Sequence, residues 1–150
     1  MIITFIGHRF IHDSALISKK LEEHILSIIS PTDNVYFYCG GYGQFDNLCA
    51  SVCISIKKKH KNCQTVLITP YITESYQRKL NLFLSENIYD SIIYPPLECV
   101  PQRFAIVKRN EWMINQADLV IAYVKNGYGG AYKSLEYAKR KKKKIINLAT

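Results

Sequence analysis

The feature of this 150-residue sequence that most constrains its fold is the regular alternation of short apolar runs with segments of helical periodicity. In residues 14–29, for example, Ile17, Leu21 and Ile25 recur at helical spacing. The apolar runs predict strands at residues 2–6, 35–39, 65–69, 91–94, 119–124 and 145–148. The segments between them predict helices at residues 14–29, 45–59, 74–84, 103–116 and 131–142. This order predicts an α/β domain with an open, mostly parallel sheet of about six strands.

Length and composition predict that residues 1–150 form a single domain. A chain of 150 residues with 48% hydrophobic content can bury one real core, but it is short for two. The start of the chain has no basic leader, and no apolar stretch reaches the length of a membrane span, so we expect a cytoplasmic protein without membrane contact. The five cysteines form no C-x-x-C pair, which favours reduced, mostly buried thiols. The sequence indicates neither a metal nor a cofactor.

The net charge of +8 comes from two short tracts rather than from the body of the protein. Ten of the twenty basic residues lie at positions 57–61 and 139–144, which leaves ten bases against twelve acids, or about −2, elsewhere. Both tracts lie where a predicted helix ends before a predicted strand, a place where lysines complement the helix dipole and stay solvated. A surface that binds a polyanion is the alternative interpretation of the same residues.

The unusual residues of the chain follow the predicted strands. In an open parallel sheet, ligands bind at the carboxyl ends of the strands, so we expect these segments to meet in one crevice. Two loops with several glycines each lead directly into a helix, whose first amides are unpaired and suit a phosphate, although a tight turn would also explain the glycines. The candidate ligand-binding residues in these loops are Gly7, His8, Arg9, Gly40, Gly41, Tyr42, Gly43, Asp46, Pro70, Tyr71, Gly127, Tyr128, Gly129, Gly130 and Ala131.

Five motifs in order resemble the SLOG superfamily, a Rossmann-like group that includes the LOG phosphoribohydrolases and the DNA-processing protein A fold. They are GHR at 7–9, GGYGQFD at 40–46, RNEWM at 109–113, QADLVIAYV at 116–124 and GGAYKSLEYAKRKKK at 129–143. The resemblance covers nearly the whole chain and is closest to small stand-alone bacterial or phage members. It implies a Rossmann-like sheet with helices on both faces, a pocket for a nucleotide or a nucleotide-derived molecule, and a homodimer.

Within this resemblance, Arg109 is the strongest candidate for contact with the ligand. It stands four residues before Met113, as the corresponding arginine does in LOG enzymes, and an arginine can hold a phosphate through two parallel hydrogen bonds. An ion pair with Asp46 or Asp118 is the structural alternative. Asn110 and Met113 in the same motif are further candidate ligand-binding residues. Asn110 could orient a ribose or base, or bond to the backbone.

The last glycine loop departs from the LOG pattern. LOG enzymes carry P-G-G-x-G-T-x-x-E, whereas this chain lacks the proline and the threonine. Glu136 lies about one helical turn beyond the position of the LOG glutamate. Glu136, and more tentatively Asp46, are the candidate catalytic carboxylates for breaking an N-glycosidic bond. The structural alternative for Glu136 is an exposed pair with Arg140.

Three functions remain open on the sequence. The first is a non-catalytic receptor for a nucleotide-derived molecule, such as a signalling nucleotide or an ADP-ribose-like compound. The second is hydrolysis of a nucleoside 5′-monophosphate to free base. The altered loop favours the first over the second, and DNA binding through the lysine tracts ranks last.

Overall fold

A computed structural model describes residues 1–150, and it has the alternating order of elements that the periodicity predicts. The strands are β1 (Ile2–Gly7), β2 (Val35–Cys39), β3 (Cys63–Ile68), β4 (Ser91–Ile93), β5 (Leu119–Tyr123) and β6 (Lys144–Asn147). The helices are α1 (Ser14–Ile28), α2 (Gln44–Lys59), α3 (Glu74–Ser85), α4 (Ala105–Gln116) and α5 (Gly130–Arg140). A single 3-10 turn, Gln102–Phe104, leads into α4.

The six strands form one sheet in the order β4-β3-β2-β1-β5-β6, and every neighbouring pair is parallel. The prediction of an open Rossmann-like sheet is therefore confirmed. The chain runs outward from β1 to β4 and then returns to place β5 on the other side of β1. The gap between the carboxyl ends of β1 and β5 is the topological switch point, where ligands bind in this class of sheet.

Alternation of side chains along the strands gives each face its own core. In β5, Leu119 and Ile121 pack with α1 and α2 in the larger core, whereas Val120 and Ala122 face α4 and α5. Leu80 places α3 on the same face as α1 and α2. The helices therefore cover both faces of the sheet, as the resemblance implied.

Helix α5 and strand β4 end earlier than the sequence predicts, each for a local structural reason. Helix α5 ends at Arg140 rather than near 142, because Lys142 adopts a left-handed conformation with φ 56°. Strand β4 ends at Ile93, since Tyr94 precedes two prolines that cannot donate to a ladder. No helix of the chain combines the length and the apolar character that crossing a membrane requires.

Lysines of both tracts have structural partners. Lys57 lies 2.7 Å from a carboxylate oxygen of Asp90, and Lys143 donates to the carbonyl oxygens of Asn115 and Ala117 at the end of α4. The contact of Lys143 is favourable because the last carbonyls of a helix carry a partial negative charge.

Candidate functional site

A cavity of about 270 Å³ lies at the switch point, between the end of β1, the loop after β2, α4 and the start of α5. Residues from four separate segments of the sequence meet there. The predicted ligand-binding residues that line it are Gly7, His8, Arg9, Tyr42, Asp46, Arg109, Asn110, Met113, Gly130 and Ala131.

Arg109 is the most deeply buried charged residue of the site, with 2% of its surface exposed. Its Nη1 donates to the carbonyl oxygens of Gly40 at 2.7 Å and Ile68 at 2.8 Å, and its Nε donates to Asn110 Oδ1 at 2.8 Å. Nη2 has no hydrogen-bond partner in the protein, although the residue lines the cavity. The guanidinium therefore ties the ends of β2 and β3 together and keeps one nitrogen available to a ligand.

Neither acid suggested as an ion-pair partner holds Arg109. Asp118 lies at the opposite edge of the sheet, where its Oδ2 accepts the Ile2 N–H at 2.7 Å. Asp46 is closer, but it forms no ion pair with Arg109. Burial lowers the pKa of Arg109, and the charge of Asp46 opposes this shift. An arginine remains charged under such conditions, so the site keeps a buried cation.

Asp46 places a carboxyl group in the cavity from the first turn of α2. Its Oδ2 accepts the Tyr42 N–H at 3.0 Å. Burial raises the pKa of Asp46 to about 7, although the nearby Arg109 acts in the lowering direction. A carboxyl group of this kind exchanges its proton near neutral pH, which is the property of a general acid or base.

The glycine loop at 40–43 is closed by the protein's own groups. The Gln44 N–H at the start of α2 donates to the carbonyl oxygen of Arg9 at 2.8 Å, and Asp46 puts a carboxylate in the same turn. Gly43 adopts φ 94°, and a β-carbon there would lie 3.0 Å from the Cα of Arg9. These glycines let the loop after β1 pack against α2, so the start of α2 is less open to an anion than its sequence indicates.

The glycine loop before α5 is open. A β-carbon at Gly127, Gly129 or Gly130 would meet no atom within 4 Å. The first turn of α5 contains no acidic residue, and its first intrahelical bond joins the Lys133 N–H to the carbonyl of Gly129. The amides before that bond are unpaired and carry the positive end of the helix dipole. Of the two glycine loops, this one has the geometry that suits an anion.

His8 connects the loop after β1 with the loop after β5. Its Nε2 accepts the Lys125 N–H at 2.9 Å and, more weakly, the Asn126 N–H at 3.4 Å. Burial, followed by the charge of Lys125, lowers the pKa of His8. The ring is therefore neutral, with its proton on Nδ1, and it holds the glycine loop that precedes α5.

The three loop tyrosines occupy different positions. Tyr42 lines the cavity, and the Arg9 guanidinium lies 4.7 Å from the centre of its ring. Tyr71 and Pro70 line a second cavity, beyond the start of α4. Tyr128 is 73% exposed and lines neither cavity. Only Tyr42 is placed to contact a ligand at the switch point.

Glu136 lies outside the cavity. Ser134 on α5 lines the cavity, and Glu136 is two residues further along, about 200° around the helix axis. Its carboxylate instead lies 3.1 Å from Lys139, rather than pairing with Arg140. Asp46 is therefore the only carboxylate that lines this cavity.

Sequence reasoning missed several residues that line the cavity, of which Ser134 is the most relevant to chemistry. Its hydroxyl has no hydrogen-bond partner in the protein, and its residue is 8% exposed. The sequence could have indicated Ser134, because it lies four residues after Gly130 and therefore on the same face of α5. The other lining residues that were missed are Phe5, Ile6 and Ile106.

Comparison with known proteins finds a relative in sequence and solved structures of similar fold. No family model matches the sequence. An uncharacterised SPbeta prophage-derived protein of Bacillus subtilis strain 168, YoqJ, is 27% identical, and the match covers 81% of each chain.

The structures are those of DNA processing protein A from two bacteria. The Helicobacter pylori protein, described with a single-stranded DNA binding mode, matches 97% of this chain with 16% identity and a TM-score of 0.62. The Streptococcus pneumoniae protein matches 95% of this chain with 12% identity and a TM-score of 0.61. This chain spans 63% and 48% of their respective lengths. It therefore has the Rossmann-like fold of DNA processing protein A, in agreement with the SLOG resemblance.

Proposed function

We propose that this protein binds a nucleotide or a nucleotide-derived small molecule in the cavity at the switch point. The observation that carries the proposal is the buried guanidinium of Arg109, which lines the cavity and has Nη2 free of protein partners. A buried charge without a counter-ion is costly, so an arginine in this position favours an anionic ligand.

The phosphate lies between Arg109 and the start of α5 in this proposal. The unpaired amides at Gly130 and Ala131 donate from one side, and Arg109 Nη2 donates from the other. The Ser134 hydroxyl and the amide of Asn110 line the same space and offer further donors. A phosphate needs this kind of converging donor set, because its oxygens only accept hydrogen bonds when fully ionised.

The nucleoside part extends towards Tyr42. The ring of Tyr42 is 47% exposed and is already stacked against the Arg9 guanidinium. A base could extend this stack, since aromatic and guanidinium planes are the usual partners of nucleobases in proteins. Such a ligand also implies a cytoplasmic location, where nucleotides are abundant.

A second candidate function is hydrolysis of the N-glycosidic bond of a nucleoside 5′-monophosphate, and Asp46 is the observation that favours it. Its carboxyl group lines the cavity and has a pKa of about 7. In this reaction water adds to C1′, the bond to the base breaks, and the products are free base and ribose 5-phosphate. Asp46 would activate the water or stabilise the developing positive charge, a role for which Glu136 is poorly placed.

Binding of a nucleic acid through the lysine tracts would be a separate activity. Both tracts precede strands, β3 and β6, and so lie at the edge of the sheet opposite the cavity. Such binding would fall steeply with salt and would not depend on Arg109.

We also propose that the protein forms a homodimer through the outer surface of α4. Phe104 and Val107 are exposed there by 45% and 48%, and Lys108 and Glu111 beside them pair with each other at 3.2 Å within the monomer. A two-fold contact brings the same patch of each subunit together, so Lys108 of one copy can meet Glu111 of the other. Light scattering of the wild type and of Val107→Asp tests this: a dimer that Val107→Asp converts to a monomer supports the proposal, and a monomeric wild type contradicts it.

Thermal-shift screening against nucleoside monophosphates, dinucleotides, cyclic nucleotides and ADP-ribose tests the binding proposal, with chromatography of each stabilising mixture. We expect stabilisation that Arg109→Met removes and that Lys19→Met, a matched change of an exposed cation on α1, retains. Recovery of intact ligand supports a receptor. Free base that depends on Asp46 and not on Glu136 establishes the hydrolase, and no stabilisation by any nucleotide contradicts both.

A further inference from the structure

A second cavity, of about 250 Å³, lies on the other side of the first turn of α4. Its walls are residues 70–73 after β3, residues 94–100 after β4, and Gln102 and Ala105 at the start of α4. Arg109, one turn further along α4, lines the first cavity and donates to the carbonyl of Ile68 at the end of β3. Arg109 therefore links the first cavity to the end of β3, and the segment after β3 forms a wall of the second cavity.

The second cavity differs from the first in its chemistry. Its floor is apolar and buried, formed by Pro70, Leu97 and Ala105. Tyr71 and Tyr94 are half-buried in its walls. The only charged residue that lines it is Glu98, and it contains no lysine or arginine. A phosphate would be repelled there, whereas a flat ring without negative charge would find aromatic and apolar neighbours.

Tyr71 is held in place before any ligand binds. The Thr69 hydroxyl donates to the carbonyl of Tyr71 at 2.8 Å, and the Tyr71 N–H approaches the same hydroxyl oxygen at 3.3 Å. The ring of Tyr76 packs edge-on against the ring of Tyr71, with 5.5 Å between centres and 82° between planes. A preorganised ring loses little conformational freedom when a base packs against it.

The size of the second cavity suits one ring system rather than a whole ligand. Pockets for complete small molecules usually have volumes of about 300–1,000 Å³, and both cavities, at about 270 and 250 Å³, are smaller, so a dinucleotide would have to occupy both. The first turn of α4 separates it from the first cavity, since Ala105 lines the second cavity and Ile106 lines the first.

We infer that the second cavity holds the second base of a dinucleotide whose phosphates bind beside Arg109. This inference rests on the proposed function, and it narrows the ligand class from nucleotides in general to molecules with two bases joined through phosphate. The first base then lies at Tyr42, the phosphates at Arg109 and α5, and the second base between Tyr71 and Tyr94.

Isothermal titration calorimetry of the full chain tests this inference. The probes are AMP, GMP and UMP, each compared with its symmetric dinucleoside pyrophosphate. We expect at least one dinucleotide to bind about tenfold or more tightly than its mononucleotide, since one stacked base contributes roughly 1–3 kcal/mol. Tyr94→Ala should remove most of this advantage and leave the affinity for the mononucleotide unchanged.

Two further variants keep the test decisive. Ile72 lines the second cavity and is 51% exposed, so Ile72→Asp should fold normally and place a negative charge in the cavity. We expect it to weaken only the dinucleotide. Tyr128→Ala is the matched control, because Tyr128 is exposed and lies outside both cavities.

The outcomes separate the two proposals. The inference would be overturned if mononucleotide and dinucleotide bound with equal affinity. It would also be overturned if Tyr94→Ala and Ile72→Asp weakened both ligands equally. In either case the proposed function would stand. Binding of neither ligand class would overturn both.

Discussion

Asp46 and Arg109 flank Gly40 at the switch point without forming an ion pair. A β-carbon at Gly40 would lie 2.9 Å from Asp46 Oδ2 and 3.3 Å from Arg109 Nη2. The absence of a side chain at this position therefore lets an acid and a cation approach the same short stretch of backbone. Both groups line the cavity, so a ligand in it would meet them together.

Gly40→Ala should disturb this arrangement, because the acid and the guanidinium would both have to move away from the new methyl group. We expect loss of nucleotide binding and a destabilisation of about 1–3 kcal/mol. Urea denaturation and calorimetry measure the two effects. Gly127→Ala is the matched control, since a β-carbon there meets no atom within 4 Å. Equal behaviour of the two variants would contradict this account of the site.

Arg109→Met should destabilise the fold as well as remove ligand binding. The change leaves the carbonyl oxygens of Gly40 and Ile68 without their buried donor. We expect a loss of about 2–4 kcal/mol in the free energy of unfolding, because each buried unpaired acceptor is costly. Lys19→Met, a change of an exposed cation on α1, should change stability by less than about 0.5 kcal/mol. If the two variants are equally stable, Arg109 has no structural role.

Asp46→Asn should change how stability depends on pH. The folded protein holds the Asp46 proton up to a pKa of about 7, whereas a free aspartate ionises near 3.8. The protonated Asp46 contributes its full share to the free energy of unfolding below pH 4. This contribution falls as the pH rises to 7 and is absent above pH 7. We expect Asp46→Asn to be more stable than the wild type at pH 8, by about 1–3 kcal/mol, and similar to it at pH 4. Urea denaturation across this range measures the difference, and parallel curves would contradict the raised pKa.

Asp90→Asn is a control in which the change in stability at high pH should have the opposite sign to that of Asp46→Asn. Burial alone would raise the pKa of Asp90, but hydrogen bonds from Lys57 and from the Thr65 N–H outweigh it and lower the pKa. The wild type therefore gains stability from this carboxylate above pH 4 and loses it as the pH falls below that value. Asp90→Asn should be less stable than the wild type at pH 8, in contrast to Asp46→Asn.

Acidification should release the loop that His8 holds. Because the folded pKa of His8 lies below its ordinary value of 6.5, folding favours the neutral ring, and its contribution to stability is lost as the pH falls below 6.5. Protonated Nε2 can no longer accept the Lys125 N–H. We expect hydrogen-exchange protection of the Lys125 and Asn126 amides to fall between pH 7.5 and 5.

The Val124 amide, which donates to Asn147 Oδ1, is the internal reference for that measurement. Its protection should not change over the same interval. His8→Ala should leave the Lys125 and Asn126 amides unprotected at every pH. Unchanged protection of these two amides in His8→Ala would show that the histidine does not hold the loop.

The sequence by itself determined the order of the elements and the edge of the sheet where the site lies. Strands and helices place apolar residues at different spacings. The local pattern therefore identifies residues 119–124 as a strand and residues 14–29 as a helix. In a parallel sheet every strand points the same way, and the segments after the strands must therefore meet at one edge. Arg109 was also identifiable as a candidate site residue, because its motif RNEWM is one of the five that resemble the SLOG superfamily.

Only the tertiary structure decided which glycine loop is open and which carboxylate faces the cavity. Both loops contain three glycines, but the loop at 40–43 is closed by the Arg9 carbonyl, from a segment more than thirty residues away in the chain. Glu136 points away because of its rotational position on α5, whereas Asp46 faces the cavity because the Tyr42 N–H holds it there. Such contacts depend on where distant segments meet and how each helix is turned, and a periodic pattern read along the chain does not contain that information.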